Sequence, residues 1–392
     1  MNIKLIVKIV VISQFVLSCS SQPKLNIAER EPAAKKSGKA GKSECADIIS
    51  SFYQSQSLER IESRIAATKG DPHKFYRSFP PLYFKILEDL GIEGEFAELY
   101  KVKGVIGGDV HVENFGVRKF KGELKLLIND FDDITEGPVF ADVLRLLTSM
   151  KLAGANVDKD FVKGFLVRYQ EGLSGAPENY SNATKKFFKE SEEAPRLNPK
   201  KASIKTKKFL EKREPAFDMT DDEIKNWKSL MKDVGVVVDQ YKYVKESGGS
   251  GGLDRFELLV ELKSGELVWL EAKHWDTAGY NAAISGKAPS TATRLKHVLK
   301  YDQPEIPISV KQYDKKPFLI REINDSHVGL TIDDFNKKDL VQVYYDEAYA
   351  LGYFHRVHQV PAVYQSQLQQ VKPKDIADFV EKIKDEIKDF VK

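Results

Sequence analysis

The feature that most restricts how this chain can fold is a change of texture near residue 234. The stretches 234–244, 253–262 and 267–272 are rich in β-branched and apolar residues, and Gly and Ser fall between them. Runs this short, punctuated by turn residues, predict an antiparallel meander. On both sides the apolar spacing is helical. Ile48, Ile49, Phe52, Leu58, Ile61 and Ile65 predict a helix over 45–67. Further helices are expected over 75–90, 140–152, 159–173 and 223–233, with short strands at 102–106 and 124–128. After the meander come a helix at 291–301, strands at 308–313 and 318–323, a long amphipathic helix at 340–358 and a terminal helix at 376–391. The fold class is therefore α+β, in the order helical part, meander, helical part. A length of 392 residues fits a two-lobed unit.

The first residues bear on the compartment. Lys4 and Lys8 precede a short apolar stretch, 9–17, that runs into Val16-Leu17-Ser18-Cys19. A charged start, a short apolar core and a small residue before the cut describe an export signal. With Cys19 directly after Ser18, the segment resembles a bacterial lipoprotein signal. That resemblance implies a signal peptide over 1–18, lipidation of Cys19 and attachment to a membrane of the cell envelope. Ser20 in place of Asp resembles outer-membrane sorting, with the protein on the periplasmic face. The alternatives are an ordinary signal peptide, or a buried helix with Cys19 incidental. Residues 19–44, with Pro32 and the run Lys35-Lys36-Ser37-Gly38-Lys39-Ala40-Gly41-Lys42, read as a flexible tether. The other cysteine, Cys45, is expected as a lone thiol in the first helix. Two cysteines exclude a disulfide framework and a multi-cysteine zinc site. With 61 Lys+Arg against 58 Asp+Glu, a nucleic-acid partner is not expected.

Two constellations carry chemistry. The first is Gly107-Gly108-Asp109-Val110-His111-Val112-Glu113-Asn114-Phe115-Gly116, a polar loop between apolar runs. Asn129-Asp130-Phe131-Asp132-Asp133 follows at the end of the next run, then Gly137-Pro138 and Asp142-Val143-Leu144-Arg145-Leu146-Leu147. Phosphoryl transfer needs a carboxylate beside the acceptor hydroxyl, and a carboxamide and a second carboxylate to hold the metal that bridges the phosphates. Asp109 suits the first role. Asn114, Asp130 and Asp132 suit the others, with hard oxygens for Mg2+. A transition-metal site at Asp109, His111 and Glu113, or a calcium loop at Asp130, Asp132 and Asp133, are the competing readings.

The second constellation is Tyr243-Val244-Lys245-Glu246-Ser247-Gly248-Gly249-Ser250-Gly251-Gly252, between two predicted strands. Backbone N–H groups of Gly248, Gly249, Ser250, Gly251 and Gly252 would approach phosphate oxygens. Trp269-Leu270-Glu271-Ala272-Lys273 ends the third strand, and a lysine there is placed to pair with phosphates. Read alone, it is a hairpin loop and a surface lysine. The lysine-rich stretch 184–213 reads as a solvated helical surface, with a basic binding face as the lesser reading.

The first segment resembles the catalytic segment of aminoglycoside phosphotransferases and choline kinases, HGDxHxxN followed by a DF or DW turn and a P…DLA helix. Gly107 stands where those enzymes often carry His. The whole arrangement is similar to the uncharacterised bacterial domain of unknown function 2252 family, on GDxHxxNFG, NDFD, Phe75-Tyr76-Arg77, Gly249-Ser250-Gly251-Gly252, Glu271-Ala272-Lys273-His274, Phe318-Leu319-Ile320-Arg321-Glu322 and Gly352-Tyr353-Phe354-His355. These resemblances imply a protein-kinase-like two-lobed fold. They imply ATP or another phosphorylated ligand, Mg2+, and a small-molecule, sugar or lipid substrate, with His111 and Arg321 as supporting residues. The catalytic segment precedes the glycine turn, so the kinase-like order is circularly permuted: a catalytic lobe over 45–233, a nucleotide lobe over 234–330, and 331–392 returning to the first. Ser247 replaces a usual glycine, and the helix 291–301 has no Glu to meet Lys273. A kinase-like binding or scaffold protein, and a metal-dependent hydrolase or nucleotidyl-type enzyme, are the alternatives.

Overall fold

The structure, a computed structural model, describes residues 42–391 apart from 54, 93–94, 246–250 and 286–287. The expected export signal, Cys19 and most of the expected tether lie outside the described residues. The chain opens with helices α1 (Lys42–Phe52), α2 (Leu58–Thr68), α3 (Pro72–Ser78), α4 (Pro80–Leu90) and α5 (Glu95–Lys101). The single helix expected over 45–67 is two helices. Ser57 is extended and its side chain accepts from Arg60 N, which starts a new helix at Leu58. Pro80 at the first position of α4 likewise ends α3, because a residue before proline avoids helical ψ. Cys45 is a buried free thiol in α1.

Strand β1 (Lys103–Ile106) leads into the polar loop, and β2 (Phe115–Phe120) and β3 (Glu123–Ile128) form a hairpin behind it. Strand β4 (Thr135–Pro138) returns to pair with β1, so the two strands expected around the loop pair with different partners. Then come α6 (Val139–Leu152), α7 (Lys159–Ser174) and α8 (Asn182–Glu193). Beyond α8 the lysine-rich stretch leaves the helix. It forms the small strands β5 (Ala202–Ser203) and β6 (Lys208–Phe209), which pair with each other. Strand β7 (Ala216–Phe217) and helix α9 (Asp221–Leu230) precede the meander.

The meander is β8 (Gly235–Val244), β9 (Asp254–Leu262) and β10 (Leu267–His274). Helix α10 (Thr291–Tyr301) separates it from β11 (Ser309–Tyr313) and β12 (Lys316–Glu322). The fold is α+β with antiparallel sheets, the largest six-stranded in the order β11-β12-β10-β9-β8-β7. Its strands alternate. On one face Phe256, Leu258, Val260, Val268, Leu270, Ala272, Phe318 and Ile320 pack with Trp227 and Met231. Helix α9, read from sequence as part of the helical lobe, thus covers the outer face of the sheet. The opposite face carries Trp269, Glu271 and Lys273 on β10. A two-residue strand β13 (Val328–Gly329) pairs with β2 and carries the chain back. Helices α11 (Lys337–Val357), α12 (Ala362–Leu368) and α13 (Pro373–Val391) complete the helical part.

Helices α7 and α11 approach each other closely through two glycines. A Cβ on Gly172 would meet Tyr349 O at 2.0 Å, and one on Gly352 would meet Tyr169 O at 2.1 Å. Backbone against backbone cannot give way as a flexible side chain can. Gly352→Ala is expected to cost about 1–3 kcal/mol of stability, read as a lower urea midpoint at unchanged m value.

Candidate functional site

One face of α6 holds the polar loop. Asp142, Arg145 and Ser149 lie three, then four residues apart, so they share that face. Asp142, fully buried, accepts from Gly107 N at 2.7 Å and Gly108 N at 3.0 Å. Arg145 pairs with the Asp109 carboxylate and lies over the Tyr76 ring at 4.5 Å. Ser149 Oγ accepts from Val112 N at 3.2 Å. Asp142 is itself fixed from behind: His355 Nε2 on α11 lies 3.2 Å from its Oδ2, and Tyr169 OH lies 2.6 Å from His355 Nδ1. The sequence motif registered Asp142 and Arg145 only as a pattern. Their spacing was the available signal for a shared task, whereas His355 gave none.

Asn114 ties the two loops together. Its Nδ2 donates to Asp109 O at 3.0 Å and Asp130 O at 3.5 Å, and Asn129 N donates to Asn114 O at 3.0 Å. Gly108 sits at φ +76° and a Cβ there would meet Asp133 O at 2.3 Å, so only glycine permits this approach. His111 Nε2 lies 3.9 Å from Asp109 Oδ2. Burial, then the cations Arg77 and Arg145, push its pKa well down and keep it neutral.

Across the cleft, Lys273 reaches these loops. It is 1% exposed, its Nζ lies 3.2 Å from Asp130 Oδ2, and it pairs closely with Asp132. The missing Glu on α10 is therefore answered from the loop itself. Helix α10 contributes differently: Arg294 donates to Ile134 O at 3.0 Å and also to Asp132 O, so it holds the backbone of the acidic loop. No sequence signal marked it. Arg321 Nε pairs with Glu271 Oε2 at 2.9 Å and its Nη1 lies 4.0 Å from Asp130 Oδ1.

The acids are unequal. Burial opposes ionisation of Asp130, but Lys273, Arg321 and Lys245 outweigh it and hold its carboxyl well below the ordinary value. Asp132 is raised, by burial and by the charge of Asp130. Asp109 is raised by burial against the pull of Arg145. Asp133, pushed up to about 7 by burial and by Asp109, faces elsewhere and accepts from Gly279 N at 2.5 Å. The carboxylates of the suggested calcium loop thus diverge. Glu113 pairs with Arg77, away from the suggested transition-metal set. Among the described residues no group of three or more His, Cys, Asp or Glu is arranged to hold a metal ion.

Of the glycine turn, Gly248, Gly249 and Ser250 lie outside the described residues. Gly251 and Gly252 are described, and Gly252 N donates to Lys245 O at 2.8 Å. Arg60 Nη1 on α2 donates to Gly252 O at 2.9 Å. Lys245, Arg77 and Glu113 border a cavity of about 480 Å3 beside the polar loop.

Residues 57–214 match the family model described as an uncharacterized protein conserved in bacteria (DUF2252). Over these residues the chain is similar to that family. The DUF2252 match takes in Asp109, His111, Asn114, Asp130 and Asp132 and ends before the six-stranded sheet. The resemblance read from sequence runs farther, to the glycine turn, Lys273 and Arg321. No curated protein and no solved structure matches the chain. Among the described residues no helix is long and apolar enough to cross a membrane.

Removing the cation would leave two neighbouring carboxylates in a closed cleft. Lys273→Met is expected to cost about 3 kcal/mol at neutral pH. Asp130 is depressed in the folded protein, so its contribution is present above the unfolded carboxylate pKa and fades as pH falls through the folded one. Without Lys273 that contribution is gone, so denaturation curves of the two proteins should converge on acidification. A gap that stays constant as the pH falls from about 4 to about 2 would contradict the assignment.

Proposed function

We propose that the chain is a kinase-like phosphotransferase with its lobes in circularly permuted order. It would move a phosphoryl group from ATP or another phosphorylated donor to a hydroxyl of a small molecule, sugar or lipid. The observation that carries this reading is the meeting of Lys273 with Asp130 and Asp132, 143 residues apart for the 3.2 Å contact with Asp130. A lysine near the end of the second strand after a glycine turn, facing an Asp-Phe-Asp loop, is the pairing that phosphate binding uses.

Asp109 is the group placed to take the acceptor proton. Its raised pKa makes the carboxylate a better base than an exposed one, and Arg145 fixes its orientation. Lys273 neutralises phosphate charge on the other wall. The donor set fits magnesium: Asn114 brings a carboxamide, Asp130 an acid that stays ionised, and Asp132 a neighbouring carboxylate. Bound there, magnesium would offset charge on the phosphate oxygens. The cavity beside Glu113, Arg77 and Lys245 is the side from which an acceptor would enter.

The ion pair between Asp109 and Arg145 favours one second reading, a kinase-like binding protein that holds a phosphorylated ligand without transfer. The two readings separate on one preparation of the mature chain with Mg2+. Asp109→Asn should keep ligand-induced thermal stabilisation while lowering transfer by about 100-fold or more. Asp130→Ala should abolish the stabilisation. Stabilisation that survives Asp130→Ala overturns the site, and phosphate release with no acceptor turns the reading toward hydrolysis.

We further propose that Cys19 is lipidated and holds the protein to the envelope, on the periplasmic face of the outer membrane. Several buried acyl chains at about 0.8 kcal/mol per CH2 anchor firmly. Cys19→Ser should move the protein from the membrane to the soluble fraction.

A further inference from the structure

The stretch between α8 and β7 exposes most of its lysines but lays Ala202, Phe209 and Arg213 against the six-stranded sheet. It runs across the inner face of the six-stranded sheet. Phe209 packs edge-on against Tyr241 and Trp269, with ring centroids 5.1 and 5.2 Å away. Ala202, Leu259 and Leu267 close around them. Next to this cluster, Arg213 inserts between two opposed acids. Glu257 and Glu271 face each other across β9 and β10, and Arg213 Nη1 lies 3.1 Å from one and 3.2 Å from the other.

The same stretch uses the backbone that follows β12. Ile323 N donates to Trp269 O at 2.8 Å, and Asp325 N donates to Arg196 O at 2.9 Å. Asn198 N donates to Asp325 Oδ2 at 2.8 Å, Lys201 pairs with Asp325, and Arg196 Nε lies 2.5 Å from Glu322 Oε1. Arg213 N donates to Tyr241 OH at 3.0 Å, and Phe209 N to Asp239 Oδ2 at 2.8 Å. These ties run along the whole segment, from both ends and from its middle. It is built into the fold and does not have the sparse contacts of a lid.

A nucleotide whose phosphates meet Lys273 must lay its base somewhere along the cleft. On the sheet, the inward positions before Lys273 on β10 are Glu271, enclosed by arginines, and Trp269, covered by Phe209. A purine needs a flat apolar slot, and Phe209 fills the one over Trp269. What remains beside Asp130 is a cavity of about 230 Å3, below the usual range for small-molecule sites of ~300–1,000 Å3. Its wall includes Arg118, Arg213, Arg321, Asn129 and His327, with Asp302, which pairs with Arg118, and Glu322 beside them. Guanidinium groups with fixed planes suit phosphate oxygens better than a base.

Resting on the phosphotransferase reading, we propose that the donor is an oligophosphate without a nucleobase. Its chain would lie from Lys273 past Arg321. In the transfer a bridging P–O bond of the donor breaks, and its electron pair leaves on the released phosphate or shorter oligophosphate. The acceptor oxygen forms the new P–O bond, and its proton passes to Asp109. A baseless donor would also suit the envelope location proposed above, away from the cytoplasmic nucleotide pool.

The test is calorimetric titration of the mature chain, at fixed Mg2+, with tripolyphosphate, pyrophosphate and ATP. Tripolyphosphate is expected to bind at least tenfold more tightly than ATP, and Lys273→Met to abolish both. The variant Phe209→Ala is expected to narrow the difference by opening room for a base over Trp269, provided its circular dichroism matches the parent. ATP binding as tightly as tripolyphosphate, or more tightly, overturns this inference while leaving the phosphotransferase reading in place. If none of the three ligands binds, the inference and that reading fall together.

Discussion

The pairing of one buried lysine with two aspartates fixes how the halves of this protein meet. Lys273 is carried by the central part of the six-stranded sheet, and Asp130 and Asp132 by the loop that ends the β2–β3 hairpin. Burying three charges is costly unless they neutralise each other at short range. Here Lys273 meets both acids, Arg321 adds a second positive charge near the partly exposed Asp130, and two supports hold the group in place. Arg294 grips the carbonyls of the acidic loop, and Glu271 is balanced by Arg321, Arg255 and Arg213. The cleft is an electrostatic joint whose two sides were specified by segments far apart in the chain.

The polar loop is positioned by a different device. Helix α6 presents Asp142, Arg145 and Ser149 in a single stripe, and each binds the loop at a different point. The first caps two backbone amides, the second fixes the Asp109 carboxylate, and the third takes the amide of Val112. His355 and Tyr169 stand behind Asp142. That chain of hydrogen bonds links the loop to α11, which follows the sheet in sequence. Segments on both sides of the sheet therefore share one rigid support for the candidate base.

Much of this was legible in the residues because it rests on local pattern. The β-branched runs at 234–272 gave the meander, and the apolar spacing of 291–301 gave α10 with its bounds. Asp109, Asn114, Asp130 and Lys273 stood out because polar residues at the ends of apolar runs have few structural uses. What could not be read depends on long-range partners. Nothing near Arg294 in sequence indicates that it bonds carbonyls 160 residues away. The stretch 194–216 is lysine-rich and carries few large apolar residues, so its pattern reads as solvated. Phe209 and Arg213 reverse that by finding Trp269, Glu257 and Glu271 on the sheet. The break at Ser57 was missed because apolar spacing continues through it, while the cap that interrupts the helix is one side-chain hydrogen bond.

The clamp between α2 and the glycine turn has a practical consequence. Arg60 bonds Gly252 O, and a Cβ on Gly252 would press on Gln56 at 2.9 Å. The first helical hairpin is therefore part of the wall of the cleft. A shortened form made for biochemistry that begins after Thr68 would lose that side of the turn. Its altered ligand affinity would then report the trimming and say nothing about the chemistry.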